Sequence, residues 1–280
     1  MARKTKRYEE LGFTDDFLFC KILQNNPELC KELAELILSR KIGEIVTIDR
    51  QKPIDITHSG KGVRFDVYME DDASTIYDIE MQTTTAKDLP KRMRYYQAMI
   101  DLNTIERGSR YTELKKSYII FICLENPYAD TGLHKYSISS VCREDPSVDF
   151  RDEIYKIILS AEGDRQDVSP DLQSFLLYLS ERKVNSELTK TLDAKVRAAR
   201  SHNEWRLEYM TLEERDELMR EEGREEGREE GRAEGRREHL IKTAKIIRKF
   251  MDIQKLSAED AMDVLDIPAD ERDVYLTELS

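Results

Sequence analysis

The chain has 280 residues, 39% of them apolar and 36% charged, with a net charge of −12; the charged share is well above the ordinary ~25%. Such a charge argues against a protein that coats nucleic acid through one large positive field, and the longest apolar run, residues 118–124, is far short of the roughly 20 that a membrane span needs. The N-terminal stretch lacks the apolar core of a secretory signal, and Cys20, Cys30, Cys123 and Cys142 are too widely spaced for a disulfide scaffold or a zinc site, so buried thiols in a reducing cytoplasm are expected.

Two helices open the chain. Thr14, Asp15 and Asp16 offer N-caps ahead of Phe17, Phe19, Ile22 and Leu23, and Pro27 starts a second run through Leu29, Leu33, Leu36 and Ile37. Gly43 breaks that run, and residues 44–49 alternate weakly, as a short strand does. The clearest strand signal follows: Val63, Phe65, Val67 and Met69 alternate with Arg64, Asp66, Tyr68 and Glu70, and after an acidic turn Tyr77, Ile79 and Met81 alternate with Asp78, Glu80 and Gln82. This predicts a β-hairpin with one apolar and one polar face. Residues 87–106 read as a helix rich in aromatic and basic side chains, ending at Gly108. The apolar run 118–124 reads as a buried central strand, with two further strands at 136–141 and 154–159 and a helix from Pro170.

Composition changes after about residue 185. Glu-Glu-Gly-Arg occurs three times and then once as Ala-Glu-Gly-Arg, which places glycines at 223, 227, 231 and 235. On a helix these form a slowly winding stripe, and each costs about 1 kcal/mol against Ala. A charged, partly helical spacer is the favoured reading over a surface for another helix. Residues 257–265 and 268–279 predict a small helical hairpin with a core of Ala261, Val264, Leu265, Val274 and Leu276.

The hairpin's polar face carries the candidate chemistry. Opposed residues in an antiparallel pair point the same way, so the assignment demands an odd-length turn. A five-residue turn puts Asp66 opposite Glu80; a three-residue turn puts it opposite Asp78 and diagonal to Glu80. Either register brings the two Cβ atoms within ~5–8 Å. Carboxylates that close repel unless a cation sits between them, and hard oxygen ligands select Mg²⁺ or Mn²⁺, which can activate water at a phosphate. The same alternation also describes an ordinary solvated face. On the following helix Arg92 and Tyr96 share one face, as do Lys91 and Tyr95, so a cation and a phenol can meet a phosphate together; amphipathic packing with Tyr95 and Met99 inward is the other reading. Residues 83–116 hold eight Lys/Arg against four acids in an otherwise acidic chain.

The string Gly62-Val63-Arg64-Phe65-Asp66-Val67, then Ile79-Glu80-Met81-Gln82, then Lys91-Arg92-Met93-Arg94-Tyr95-Tyr96 resembles the recombination-promoting nuclease, or transposase-named, branch of the PD-(D/E)XK nuclease superfamily. Asp16-Phe17-Leu18-Phe19, Gly108 followed by Tyr111 and Leu114, and the strand 119–122 share the resemblance, which covers roughly residues 12–160 and the tail more loosely. It implies an α/β fold, a restriction-endonuclease-like mixed sheet flanked by helices and followed by a charged helical extension. It divides the chain into a core (1–165), a helical continuation (166–205), the Gly-spaced repeat (206–240) and the C-terminal hairpin (241–280). It also implies a Mg²⁺-dependent (or Mn²⁺-dependent) DNA endonuclease, with Asp66, Glu80 and the Met81 carbonyl as metal ligands and Asp66, Glu80 and Gln82 as the catalytic set. Lysine usually stands where this chain has Gln82; a neutral amide orients but supplies no charge. Lys87, Lys91, Arg92 or Arg94 are candidates for the missing cation, Arg92, Tyr96 and Lys91 for phosphate contacts, and Glu32 or Glu35 for an additional metal ligand.

The histidines are unpaired at ligand spacing, and there is no P-loop or dinucleotide fingerprint, so neither zinc nor a nucleotide cofactor is expected. The C-terminal hairpin carries Asp270, Glu271, Asp273 and Glu278 against Arg272, the wrong sign for a DNA groove reader. Two other readings stand beside the nuclease: a catalytically weak DNA-binding or regulatory protein that keeps the fold, and a homo-oligomeric interaction module assembled through the tail.

Overall fold

The computed structural model describes residues 6–54, 62–84 and 88–279. Its strands are β1 (Ile45–Ile54), β2 (Val63–Asp71), β3 (Ile76–Gln82), β4 (Ser117–Cys123), β5 (Lys135–Ile138) and β6 (Ile154–Ser160). They form one mixed sheet in the order β1-β2-β3-β4-β6-β5. The first three strands are antiparallel neighbours, β3-β4 and β4-β6 are parallel, and β5 closes the far edge antiparallel to β6. The sheet is thus the mixed, helix-flanked sheet that the sequence implies. The strand read at 136–141 ends at Ile138, where its pairing to β6 stops, and Val141 is exposed.

A parallel pair needs a crossover, and helix α3 (Leu89–Thr104) supplies it between β3 and β4. Leu89, Met93, Tyr96, Met99 and Ile100 of α3 pack against Ile119, Phe121 and Cys123. Those three pair across the sheet with Asp78, Glu80 and Gln82, so α3 roofs the face that the sequence reading leaves to solvent. The opposite face receives α1 (Asp16–Gln24) and α2 (Pro27–Leu38). Cys30 of α2 lies 3.6 Å from the Met69 sulfur, and the Arg40 guanidinium stands 4.8 Å over the Tyr118 ring, itself the middle of a Tyr77–Tyr118–Tyr155 stack. Helices α4 (Pro170–Glu181) and α5 (Glu187–Arg200) pack on α2 and α1 respectively, beyond the sheet.

The hairpin therefore has two buried faces rather than one apolar and one polar. Its apolar set also divides: Phe65 joins Tyr68 and Tyr96 under α3, whereas Met69 faces α2. The last β2-β3 pair is Val67↔Ile79. Phe65 lies beyond it but is still paired with Lys52 of β1.

Two compact units divide at residues 209 and 210, and α6 (Asn203–Gln254) carries the chain from one to the other. The Gly-spaced repeat is helical, and a Cβ added at Gly223, Gly227, Gly231 or Gly235 would meet nothing within 4 Å. In the second unit Ala244 and Ile247 of α6 join Ala261, Met262 and Tyr275 from α7 (Ala258–Val264) and α8 (Arg272–Leu279). Val264 and Val274, expected in that core, are exposed, because the end of α6 fills the space between the two short helices instead.

The β2-β3 turn spans five residues between Glu70↔Ile76, and Asp71 holds it. Its carboxylate accepts from the Ala73 and Thr75 N–H groups at 3.1 and 2.8 Å, from the Tyr77 hydroxyl at 2.8 Å and from the Gly43 N–H at 3.3 Å. Removing a buried acceptor leaves such donors unsatisfied, so Asp71→Ala is expected to cost about 2–4 kcal/mol. Exposed Asp72→Ala in the same turn is expected to cost under about 1 kcal/mol. Urea unfolding midpoints measure both; equal losses would contradict this role for Asp71.

Candidate metal and phosphate site

β2 and β3 part after Val67↔Ile79, and the next residues on each strand are Asp66 and Glu80. The carboxylates replace the missing ladder bonds. Glu80 Oε1 accepts from the Asp66 N–H at 2.8 Å, and Asp66 Oδ2 accepts from the Met81 N–H at 3.1 Å. Each acid is thus locked to the other's strand. Asp66, Glu80 and Asp78 are 8%, 2% and 0% exposed, and no described Lys or Arg forms an ion pair with any of them. Both Asp78 oxygens are buried without a hydrogen-bond donor, an arrangement in which each unsatisfied group demands an explanation.

Helix α1 brings further donors. Asp16, Cys20 and Asp66 each offer a ligand atom, all within 4.8 Å of one another. Asp16 and Cys20 are four apart on one helix face, and the Cys20 thiol donates to Asp16 Oδ1 at 3.5 Å. Asp16 occupies the place that sequence reasoning considered for Glu32 or Glu35. The Glu35 carboxylate is tied instead to Lys41 at 2.6 Å and to the Ile42 N–H at 3.2 Å, and Glu32 lines a separate cleft with Ser39 and Arg40. Asp16 was visible only as part of the Asp-Phe-Leu-Phe string; nothing local in a sequence reports that α1 crosses β2 there.

On the α3 side Arg92 reaches back over the sheet. Its Nη1 donates to Gln82 Oε1 at 2.7 Å and its Nη2 to the Tyr96 hydroxyl at 3.3 Å, while the guanidinium lies 5.4 Å over the Phe121 ring. Gln82 Nε2 in turn donates to the Met81 carbonyl at 3.2 Å. Six of the expected residues, Asp66, Glu80, Met81, Gln82, Arg92 and Tyr96, therefore converge on one place. Lys91 does not: it is exposed on the outer face of α3, as is Arg94. Lys87 lies outside the described residues. Tyr96 rather than Tyr95 is the buried tyrosine of the pair.

Burial dominates the electrostatics. It pushes the Asp66 carboxyl up to about 9, with the Glu80 and Asp16 carboxylates adding to the rise. It pushes Glu80 up to about 7, partly offset by the hydrogen bond from the Asp66 N–H. Asp78 is held well above the carboxylate range by complete burial and by the Glu80 and Asp66 carboxylates. Burial also pushes the Tyr96 phenol up to about 12, so it stays a hydroxyl. Hard carboxylate oxygens, a strand carbonyl and two strand carboxylates with no ion-pair partner among the described residues fit a divalent cation of the Mg²⁺ or Mn²⁺ kind.

The pH dependence follows from these directions. Acids raised in the folded state bind protons that the unfolded chain has released, so their contribution is fully present near pH 4 and is lost as pH rises through about 7 and about 9. In EDTA the melting temperature is expected to fall between pH 5 and pH 9 more steeply than that of the Asp66→Asn/Glu80→Gln variant. Mn²⁺ is expected to restore the wild type most at the alkaline end, because ligands bind metal deprotonated. Matching slopes for the two proteins in EDTA would contradict the assignment.

With this geometry in place, comparison with known protein families gives a match. Residues 14–226 match the PD-(D/E)XK nuclease family transposase model. No curated protein and no solved structure matches the chain. The matched segment contains the whole sheet, the carboxylate fork and α3, and on that evidence the chain belongs to the PD-(D/E)XK nuclease family transposases.

Proposed function

We propose that the protein is a metal-dependent DNA endonuclease that hydrolyses phosphodiester bonds with an activated water. The observation that carries this reading is the interlocked pair Asp66–Glu80, buried without an ion-pair partner among the described residues. Leaving such charges unneutralised costs several kcal/mol per ion, and the orphaned Asp78 oxygens add to the demand. Asp66 and Glu80, with Asp16 and the Met81 carbonyl, would hold Mg²⁺ or Mn²⁺. The ion would supply water activation and charge neutralisation at the phosphate.

The chain's own residues do the remaining work. Gln82 cannot donate charge as a lysine would, but it receives Arg92, and Tyr96 receives the other arm of the same guanidinium. Held at both ends, Arg92 would present a fixed cation to the phosphate oxygens, where charge develops as the water attacks and the leaving oxygen departs. The cation has moved from strand β3 to helix α3. This contact favours the catalytic reading over a weak, binding-only protein, for which Gln82 alone would argue.

Supercoiled-plasmid nicking in Mg²⁺, Mn²⁺ and EDTA tests the proposal. Activity is expected only with metal, to be lost in Asp66→Ala and Glu80→Ala, and to fall about 10²-fold in Arg92→Ala with partial recovery in Arg92→Lys. No nicking by folded wild-type protein in either metal, or equal activity in wild type and carboxylate variants, would overturn it.

A further inference from the structure

Arg92 and Tyr96 use the inner face of α3; the outer face has no role in the site just described. Lys91 and Arg94 are exposed there, and neither side chain forms an ion pair with a described residue. Beyond the helix end the chain turns at Gly108, whose φ of +95° suits glycine. It then enters a short 3₁₀ turn that leaves Tyr111 86% exposed, next to exposed Arg110 and shortly after exposed Arg107. Glu113, the acid of that turn, is occupied in capping it, accepting from the Arg110 N–H at 3.4 Å. The Arg107 and Arg110 side chains likewise form no ion pair with a described residue.

A lone exposed tyrosine needs no explanation. Four cations that form no ion pair with a described residue, together with an aromatic ring, set along one helix and its exit loop in a chain of net charge −12, are a different matter. The row starts where Arg92 meets the carboxylate fork. At 1.5 Å per residue the 16 residues of α3 extend about 24 Å, the length of about seven steps of a DNA duplex at roughly 3.4 Å each. We propose that the outer face of α3 and the loop 105–113 form a track for one arm of a DNA duplex. Lys91, Arg94, Arg107 and Arg110 contact its phosphates, and Tyr111 packs on a sugar or base at the end away from the bond that is cut. This rests on the DNA-nuclease reading and adds to it where the uncut duplex lies. Phosphate contacts of this kind position a duplex without reading its sequence.

The test is fluorescence anisotropy with a labelled 30-base-pair duplex in EDTA, which separates binding from cleavage. It uses the full chain and the exposed-site variants Arg107→Glu/Arg110→Glu and Tyr111→Ala, whose folding is checked by circular dichroism. The charge reversal is expected to weaken binding at least tenfold and to lower the salt slope by about 0.9 per lost phosphate contact. Tyr111→Ala is expected to weaken it about fivefold or more. Both effects should vanish on a duplex whose arm is too short to run the length of α3. Wild type that binds duplex while the variants bind within twofold of it, at an unchanged salt slope, would overturn the track and leave the nuclease reading standing. Wild type that binds no DNA would overturn both. Tighter binding to an RNA duplex of the same sequence would also overturn the track, assigning the surface to RNA.

Discussion

Three carboxylates from two neighbouring strands are buried where the β2-β3 ladder ends, and the local architecture is arranged around that electrostatic cost. Asp66 and Glu80 each take a backbone N–H from the opposite strand, so the fork that exposes unpaired amides also anchors the acids. Backbone dipoles alone do not neutralise them. Both acids stay raised above the carboxylate range, and Asp78 has no hydrogen-bond donor among the described residues. A site built this way is under-neutralised as it stands and gains most from a hard divalent cation.

The topology makes the burial unavoidable. Since β3 and β4 are parallel, the chain must cross the sheet between them, and the crossing helix covers the face on which Asp78, Glu80 and Gln82 stand. The same crossing puts Arg92 and Tyr96 over that face from the first turns of α3. Closure of the sheet and assembly of the site are therefore one event. Asp16 and Cys20 approach Asp66 from α1.

Periodic features of the sequence translated well into structure, and contacts between distant segments did not. The alternation at 63–70 and 77–82 was enough to find both strands and, with an odd turn, to pair Asp66 with Glu80; the i,i+4 relation was enough to join Arg92 to Tyr96. Alternation cannot tell a surface strand from one roofed by a helix, so the burial of the acidic face was not legible, nor was the orphaned Asp78. Phe65, expected on the same face as Met69, lies under α3, whereas Met69 meets α2. The sequence offers Glu32 or Glu35 as an additional acid, whereas the carboxylate that α1 brings beside Asp66 is Asp16, since the choice depends on which turn of which helix crosses the sheet. Val264 and Val274 were placed in a hairpin core that the end of α6 fills instead.

The central claim is that this fork is a binding site for a divalent cation. It is tested most directly by Mn²⁺ titration followed by electron paramagnetic resonance of free Mn²⁺, with wild type beside Asp66→Asn at neutral pH. Saturable binding by the wild type, weakened at least tenfold in the variant while both remain folded, is the result predicted. Folded wild-type protein that takes up no more Mn²⁺ than Asp66→Asn would contradict it.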